Sequence, residues 1–279
     1  MSRVNCVIAM LALGMAAAGP AYAQRLSASA LAERSSIIVR GTVVRAGASD
    51  EPMLAASPST AVIKISHTYA GAEIAGDQTG LTATVILSRP GAVKDGTEAV
   101  FFGNPRFLGK TITIADDGEL TDASVPEIEK GIQARRDAPV RARLAGASTV
   151  FRGKVEKEAP LEVPANPKLK QAGNEHDPEW HVATVRVTTP MKGGKKDAIV
   201  SVVFAASRDV TWVNSPKLRP GQEVVLITHK PTKDEEPLLR ATGALAAMQK
   251  QPFELATDIH DVLPVADEAR VRGLVGGGH

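Results

Sequence analysis

The sequence predicts an all-β protein with short flanking helices, arranged as two tandem five-stranded β-barrels. Three observations carry that prediction. The stretch Ser36-Ile37-Ile38-Val39-Arg40-Gly41-Thr42-Val43 returns as Ser148-Thr149-Val150-Phe151-Arg152-Gly153-Lys154-Val155. A second pattern, Lys94-x-Gly96-x-Glu98, returns as Arg219-x-Gly221-x-Glu223, each time followed by mostly bulky apolar residues. The spacing between copies grows from 112 (Gly41 to Gly153) to 125 (Gly96 to Gly221), and the added residues fall in loops, where length is tolerated.

The chain opens with Arg3, an apolar run from Val4 to Ala18, and the small-x-small ending Ala21-Tyr22-Ala23. That layout predicts a signal peptide over residues 1–23, cleavage before Gln24, and a periplasmic or secreted product. The run is shorter than the roughly 20 apolar residues that span a bilayer. Cys6, the one cysteine, would leave with it, so the mature protein has no thiol ligand, nucleophile or disulfide. Net charge is +2, falling to +1 without Arg3, which argues against nucleic acid as the partner. Aromatic residues make up 4%, too few for extended stacking platforms. No later stretch is long and apolar enough to cross a membrane.

The first copy spans residues 24–140. A helix is expected over 24–34, capped by Ser27 or Ser29, followed by a β-branched strand over 35–45 in which Gly41 permits a bend or bulge. Strand two alternates over 61–68, with Ile63 and Ile65 on one face. Strands three, four and five are read at 83–87, 98–102 and 110–115, the last closed by a turn at Asp116-Asp117-Gly118. A helix from Val125 to about Arg136, with Ser124 as cap and Pro126 in its first turn, ends the copy. Pro139 reads equally as a hinge or as part of a continuous helix.

The second copy spans residues 141–279. Strand one runs from Thr149 to Lys157, and a polar excursion follows from Glu158 to Glu179. Strand two covers 182–189, with Val185 and Val187 in the places of Ile63 and Ile65. Strands three and four lie at 199–204 and 224–228, and Leu238 to Thr242 is read as the fifth. A terminal helical segment and a Gly-rich tail close the chain.

Five short strands with a glycine-bent first strand indicate an OB-like barrel. At Gly41 and Gly153, at the strand ends Gly71 and Gly193-Gly194, and at the Gly96-x-Glu98 and Gly221-x-Glu223 turns, the chain resembles the netrin-like module of tissue inhibitors of metalloproteinases. The resemblance implies a fold rather than an activity. Those inhibitors act through an N-terminal cysteine, and a mature chain beginning Gln24-Arg25-Leu26 has none.

Gly-x-Ser-x-Gly, Ser-x-x-Lys, Walker and His-Glu-x-x-His patterns are absent from the sequence. The expectation is therefore a non-enzymatic protein that needs no cofactor and binds a protein or an envelope polymer. Trp212, with Arg208 and Asn214 on its loop, is the candidate contact, alongside Trp180; the competing reading packs the indoles into the core. The cluster Glu175-His176-Asp177-Pro178-Glu179-Trp180-His181 supplies an alternative. His176, His181, Asp177 and Glu179 could ligate zinc or copper, in a metal-binding protein or a metal-assisted hydrolase, or could simply form a solvated loop. His260-Asp261 resembles half of a triad with no serine placed to complete it.

Overall fold

The computed structural model describes residues 26–109, 111–163, 176–250 and 252–277. The expected signal peptide, Glu175 and the polar excursion between residues 164 and 175 lie outside them. The chain is mostly β, and it divides into two compact units between Gly131 and Ile132.

In the first unit α1 (Ala28–Arg34) is capped by Ser27, whose hydroxyl accepts from the Ala30 N–H at 3.2 Å. It precedes β1 (Ile37–Ala46), β2 (Thr60–Ala70), a single helical turn α2 (Ala72–Ala75), β3 (Thr82–Ile86), β4 (Glu98–Arg106) and β5 (Thr113–Leu120). The strands close into a barrel in the order β1-β2-β3-β5-β4, with β3 and β5 parallel and β1 against β4. Ile37, Val39, Val43, Ile63, Ile65, Val85, Phe101 and Ile114 fill it. The residues Asp116-Asp117-Gly118 do not form a turn: β5 continues through them to Leu120. A bulge opposite Phe102 and Gly103 leaves Asp117 as the extra residue.

Helix α3 (Val125–Gly146) begins in the first unit and ends in the second, longer than expected because it continues through Pro139. The second unit then carries β6 (Thr149–Pro160), β7 (Trp180–Lys192), β8 (Ile199–Ala205), β9 (Glu223–Thr228), α4 (Glu236–Ala241), α5 (Ala244–Met248), β10 (Phe253–Leu255), β11 (Val262–Pro264) and α6 (Glu268–Gly276). These strands form one open six-stranded sheet, β10-β8-β7-β6-β9-β11, curled into a half-barrel. The expectation of two closed five-stranded barrels is thus corrected. The segment Leu238 to Thr242 is not the fifth strand but lies in α4 and its C-cap, with Pro237 in the first turn and Leu239 buried among Trp180, Val203 and Ala205. The closing strand is instead divided. β10 runs parallel to β8, but among the described residues its backbone meets the far side through one bridge, His229 to Leu255, while β11 takes the free edge of β9.

The two sheets share a detailed register. β1 against β2 shifts register at Ile38/Val39, Arg40/Gly41 and Val43/Arg45; β6 against β7 shifts at Val150/Phe151, Arg152/Gly153 and Val155/Lys157. Each pair of sites is 112 residues apart. A Cβ on Gly41 would stand 2.8 Å from the Lys64 carbonyl oxygen, and one on Gly153 would stand 2.6 Å from Val185. Only glycine lets the first strand coil this close to the second. Gly96 and Gly221, at φ 80° and 85°, turn into β4 and β9, and each donates its N–H at 2.8 Å to the first strand, at Val43 and Val155. The arginine of the first pattern pairs with the glutamate of the second in both units: Arg40 with Glu98 at 3.6 Å, and Arg152 with Glu223 at 2.6 Å. The two patterns are thus opposite sides of one β1–β4 or β6–β9 contact.

Candidate functional site

One group of ionisable residues of the second unit, six in all, lines a cleft at its sheet. Along β7, Ala183, Val185 and Val187 belong to the inner core, and the period of two puts His181 on the same side at the strand's start. Its cross-strand neighbour is Phe204, with ring centroids 6.1 Å apart. Glu158 faces Ala183 from β6 and its carboxylate bonds His181 Nδ1. An ionised carboxylate only accepts, so Nδ1 carries the proton and a neutral imidazole keeps its Nε2 lone pair.

The connection from β8 to β9 forms the other wall. The spacing between corresponding strands is 117 from Ala83 to Val200 and 125 from Ala99 to Val224, so this connection is eight residues longer than its counterpart. The added length makes a single helical turn, Val210–Trp212, whose N-cap Asp209 accepts from the Thr211 N–H at 2.8 Å. Hydrogen bonds from the Thr211 hydroxyl and N–H, with His176 behind them, hold the Asp209 carboxyl down at about 2. Lys217 ties the loop back to the sheet, donating to the Ala205 carbonyl at 2.6 Å and the Trp212 carbonyl at 3.2 Å. Burial lowers the pKa of its ammonium. Between the walls lies a cleft of about 670 Å³, lined by Glu158, Glu179, His181, Arg208, Lys217 and Arg219 over an apolar floor of Phe204, Ala206 and Leu218.

The proposed contact residues separate. Trp180 is buried, donates its indole N–H to the Thr242 hydroxyl at 2.9 Å, and packs edge-on against Trp212 with centroids 6.0 Å apart. Trp212 is half-buried beside the same cluster and donates its indole N–H to the His176 carbonyl at 2.8 Å. The two indoles therefore pin the loop rather than stand clear of it. Arg208 lines the cleft, Asn214 is exposed, and Val210 and Val213 project at 78% and 67% exposure.

The proposed metal ligands are drawn apart as well. His176 pairs with Asp209 at 3.0 Å, His181 with Glu158, Glu179 lies on the cleft, and Asp177 is exposed. Among the described residues no three His, Cys, Asp or Glu side chains stand together to hold a metal.

Sequence reading missed Glu158 and Lys217. Strand alternation past the last bulge could have placed Glu158 inside; Lys217 left no signal, because its partners are carbonyl groups. It also missed a buried network near the single closing bridge. Arg143 holds Asp261, which has no exposed surface, through Nε at 2.6 Å and Nη2 at 2.8 Å. The same Nη2 donates to His229 Nδ1 at 3.3 Å, and His229 Nε2 donates to Glu235 at 2.9 Å. Burial acts to raise the Glu235 pKa, but the hydrogen bonds from His229 and Thr232 prevail and hold it at about 2. His260, the other half of the apparent triad fragment, pairs with Asp258 at 2.7 Å.

No helix among the described residues is long and apolar enough to cross a membrane. No protein-family model matches this chain, and no curated protein is significantly similar to it.

Proposed function

We propose that this chain is an exported, non-enzymatic binding protein made of two diverged OB-type modules, and that it contacts a protein or an envelope polymer through the mouth of the second. The strand order β1-β2-β3-β5-β4 of the first unit supports the OB-type reading. The three register shifts that recur at a spacing of 112 support duplication. One observation carries the assignment of the face: the connection lengthened by eight residues in the second unit supplies Arg208 to the cleft and carries the exposed Val210 and Val213 on the same loop. Lining up the registers puts Ala46, Ser59, Leu87, Val93 and Lys94 in the first unit where Glu158, His181, Phe204, Leu218 and Arg219 stand. The first barrel thus carries the frame and one cation, Lys94, without the imidazole and carboxylate.

Crosslinked capture from an envelope fraction with tagged protein tests this reading. A partner recovered by the wild type and lost with Val210→Asp would support it. Recovery that is indifferent to the loop would sink it.

A second reading, metal-assisted hydrolysis, keeps one supporting observation: Glu158 orients His181 as carboxylates orient metal-binding imidazoles. Zinc or copper retained by the wild type after dialysis and lost with His181→Ala would favour it.

A further inference from the structure

We infer that the mouth of the second sheet binds a ligand carrying one anionic head group, a carboxylate or a phosphate, on a short apolar body. This rests on the reading above, that the second unit's mouth is the contact face, and names the chemistry it takes. Charge compensation is the argument. Of the two carboxylates that line the cleft, Glu158 is engaged by His181, which leaves Glu179 at the exposed rim. Against it stand three cations. Arg208 and Arg219 are exposed and make no ion pair among the described residues. Lys217 is half-buried and its ammonium meets only carbonyl oxygens, two of them, leaving one of its three N–H groups.

A partly buried ammonium with no counter-charge is costly unless something anionic reaches it. Burial disfavours the charge on Lys217, which lines the cleft and is open to a ligand there. The two guanidinium groups supply forked donors suited to planar or tetrahedral oxyanions. Phe204, Ala206 and Leu218 give the floor no hydrogen-bonding side chain, so the rest of the ligand is apolar where it lies on them. At about 670 Å³ the cleft is of the size that holds a small molecule or the end of a chain.

Titration calorimetry of the full chain with hexanoate and hexyl phosphate, with hexanol and hexylamine as controls, tests the inference. Saturable binding of either anion and of neither control supports it, and the tighter anion identifies the head group. Arg208→Ala and Arg219→Ala lie on the surface and are expected to leave the fold intact while each weakens binding about tenfold. Lys217→Met is expected to abolish binding; should it loosen the loop, the two arginine variants still decide. Hexylamine binding as well as hexanoate, no anion binding at all, or anion binding unchanged in the Arg208→Ala, Arg219→Ala double variant would overturn the inference. A partner captured equally well by the wild type and that double variant, but lost with Val210→Asp, would overturn it while leaving the proposed binding function standing.

Discussion

The two units treat buried charge in opposite ways. In the second, Asp261 has no exposed surface yet accepts two bonds from Arg143 and the backbone N–H groups of Thr257 and Asp258. In the first, Asp116 and Glu119 are inward-facing residues of β5, both over nine-tenths buried, and each keeps one oxygen without a partner. Ser88 donates to one Asp116 oxygen and Arg89 to one Glu119 oxygen, and a proton on Asp116 lets the two carboxyl groups bond each other. Burial first, and the Glu119 charge second, push the Asp116 carboxyl up to about 7. The closed barrel leaves its carboxylates facing each other, whereas the opened sheet lets the chain bring an arginine, a histidine and backbone donors to its own. Opening a barrel makes room for compensation.

The comparison breaks first at Asp261. Asp261→Ala leaves the half-buried Arg143 without its carboxylate partner, and the second unit is expected to lose about 3 kcal/mol. Both tryptophans, Trp180 and Trp212, lie in that unit, so denaturant unfolding followed by tryptophan fluorescence reads it selectively. An unchanged midpoint would show that the network is ornamental.

Acid and base should then separate the two units. Between about pH 4 and 7, folded Asp116 keeps a proton that the unfolded chain has released. First-unit stability therefore falls as the pH rises through that window, by up to about 4 kcal/mol. Asp116→Asn is expected to remove the slope and to raise the melting temperature most at pH 8. Glu235 behaves in the opposite sense. Its depressed pKa contributes stability that is complete above about pH 4.5 and is lost as the pH falls towards 2, on the order of 3 kcal/mol. Glu235→Gln should flatten the acid limb of the fluorescence-detected transition and leave the neutral-to-alkaline range alone.

The glycines sharpen the comparison at smaller scale, because there the units should agree. Gly41→Ala and Gly153→Ala each force a Cβ against a neighbouring strand and are expected to cost about 2 kcal/mol. Gly96→Ala and Gly221→Ala meet no atom within 4 Å and strain only a positive φ, for about 1 kcal/mol. Thermal melts of the four variants should group by type of glycine rather than by unit.

The features held in common were the legible ones. The patterns around Gly41 and Gly96 announce themselves in sequence because a close approach and a left-handed turn each exclude other residues. Their Arg–Glu pairings, Arg40 to Glu98 and Arg152 to Glu223, made the patterns recur together. The alternation of Ile63 with Ile65, and of Val185 with Val187, placed the second strands for the same reason. What differs was not legible. Whether the fifth strand closes depends on how β10 and β11 share two edges, and segments three residues long leave no periodicity to read. The cleft depends on contacts between His181 and Glu158, 23 residues apart, and between Lys217 and carbonyl oxygens, which no side-chain pattern records. The tryptophans drew attention because they are rare, and they proved to hold the loop in place.

The division of the closing strand has a consequence for solubility. A closed barrel has no edges, whereas an open sheet ends in two rows of unsatisfied amides that invite a foreign strand and, with it, aggregation. Here β10 and β11 are each three residues long, β10 is fastened to His229 by both of its bridge hydrogen bonds, and β11 ends in Pro264, which has no N–H to offer. The molecule opens one of its sheets and leaves almost nothing at either border on which another chain could crystallise.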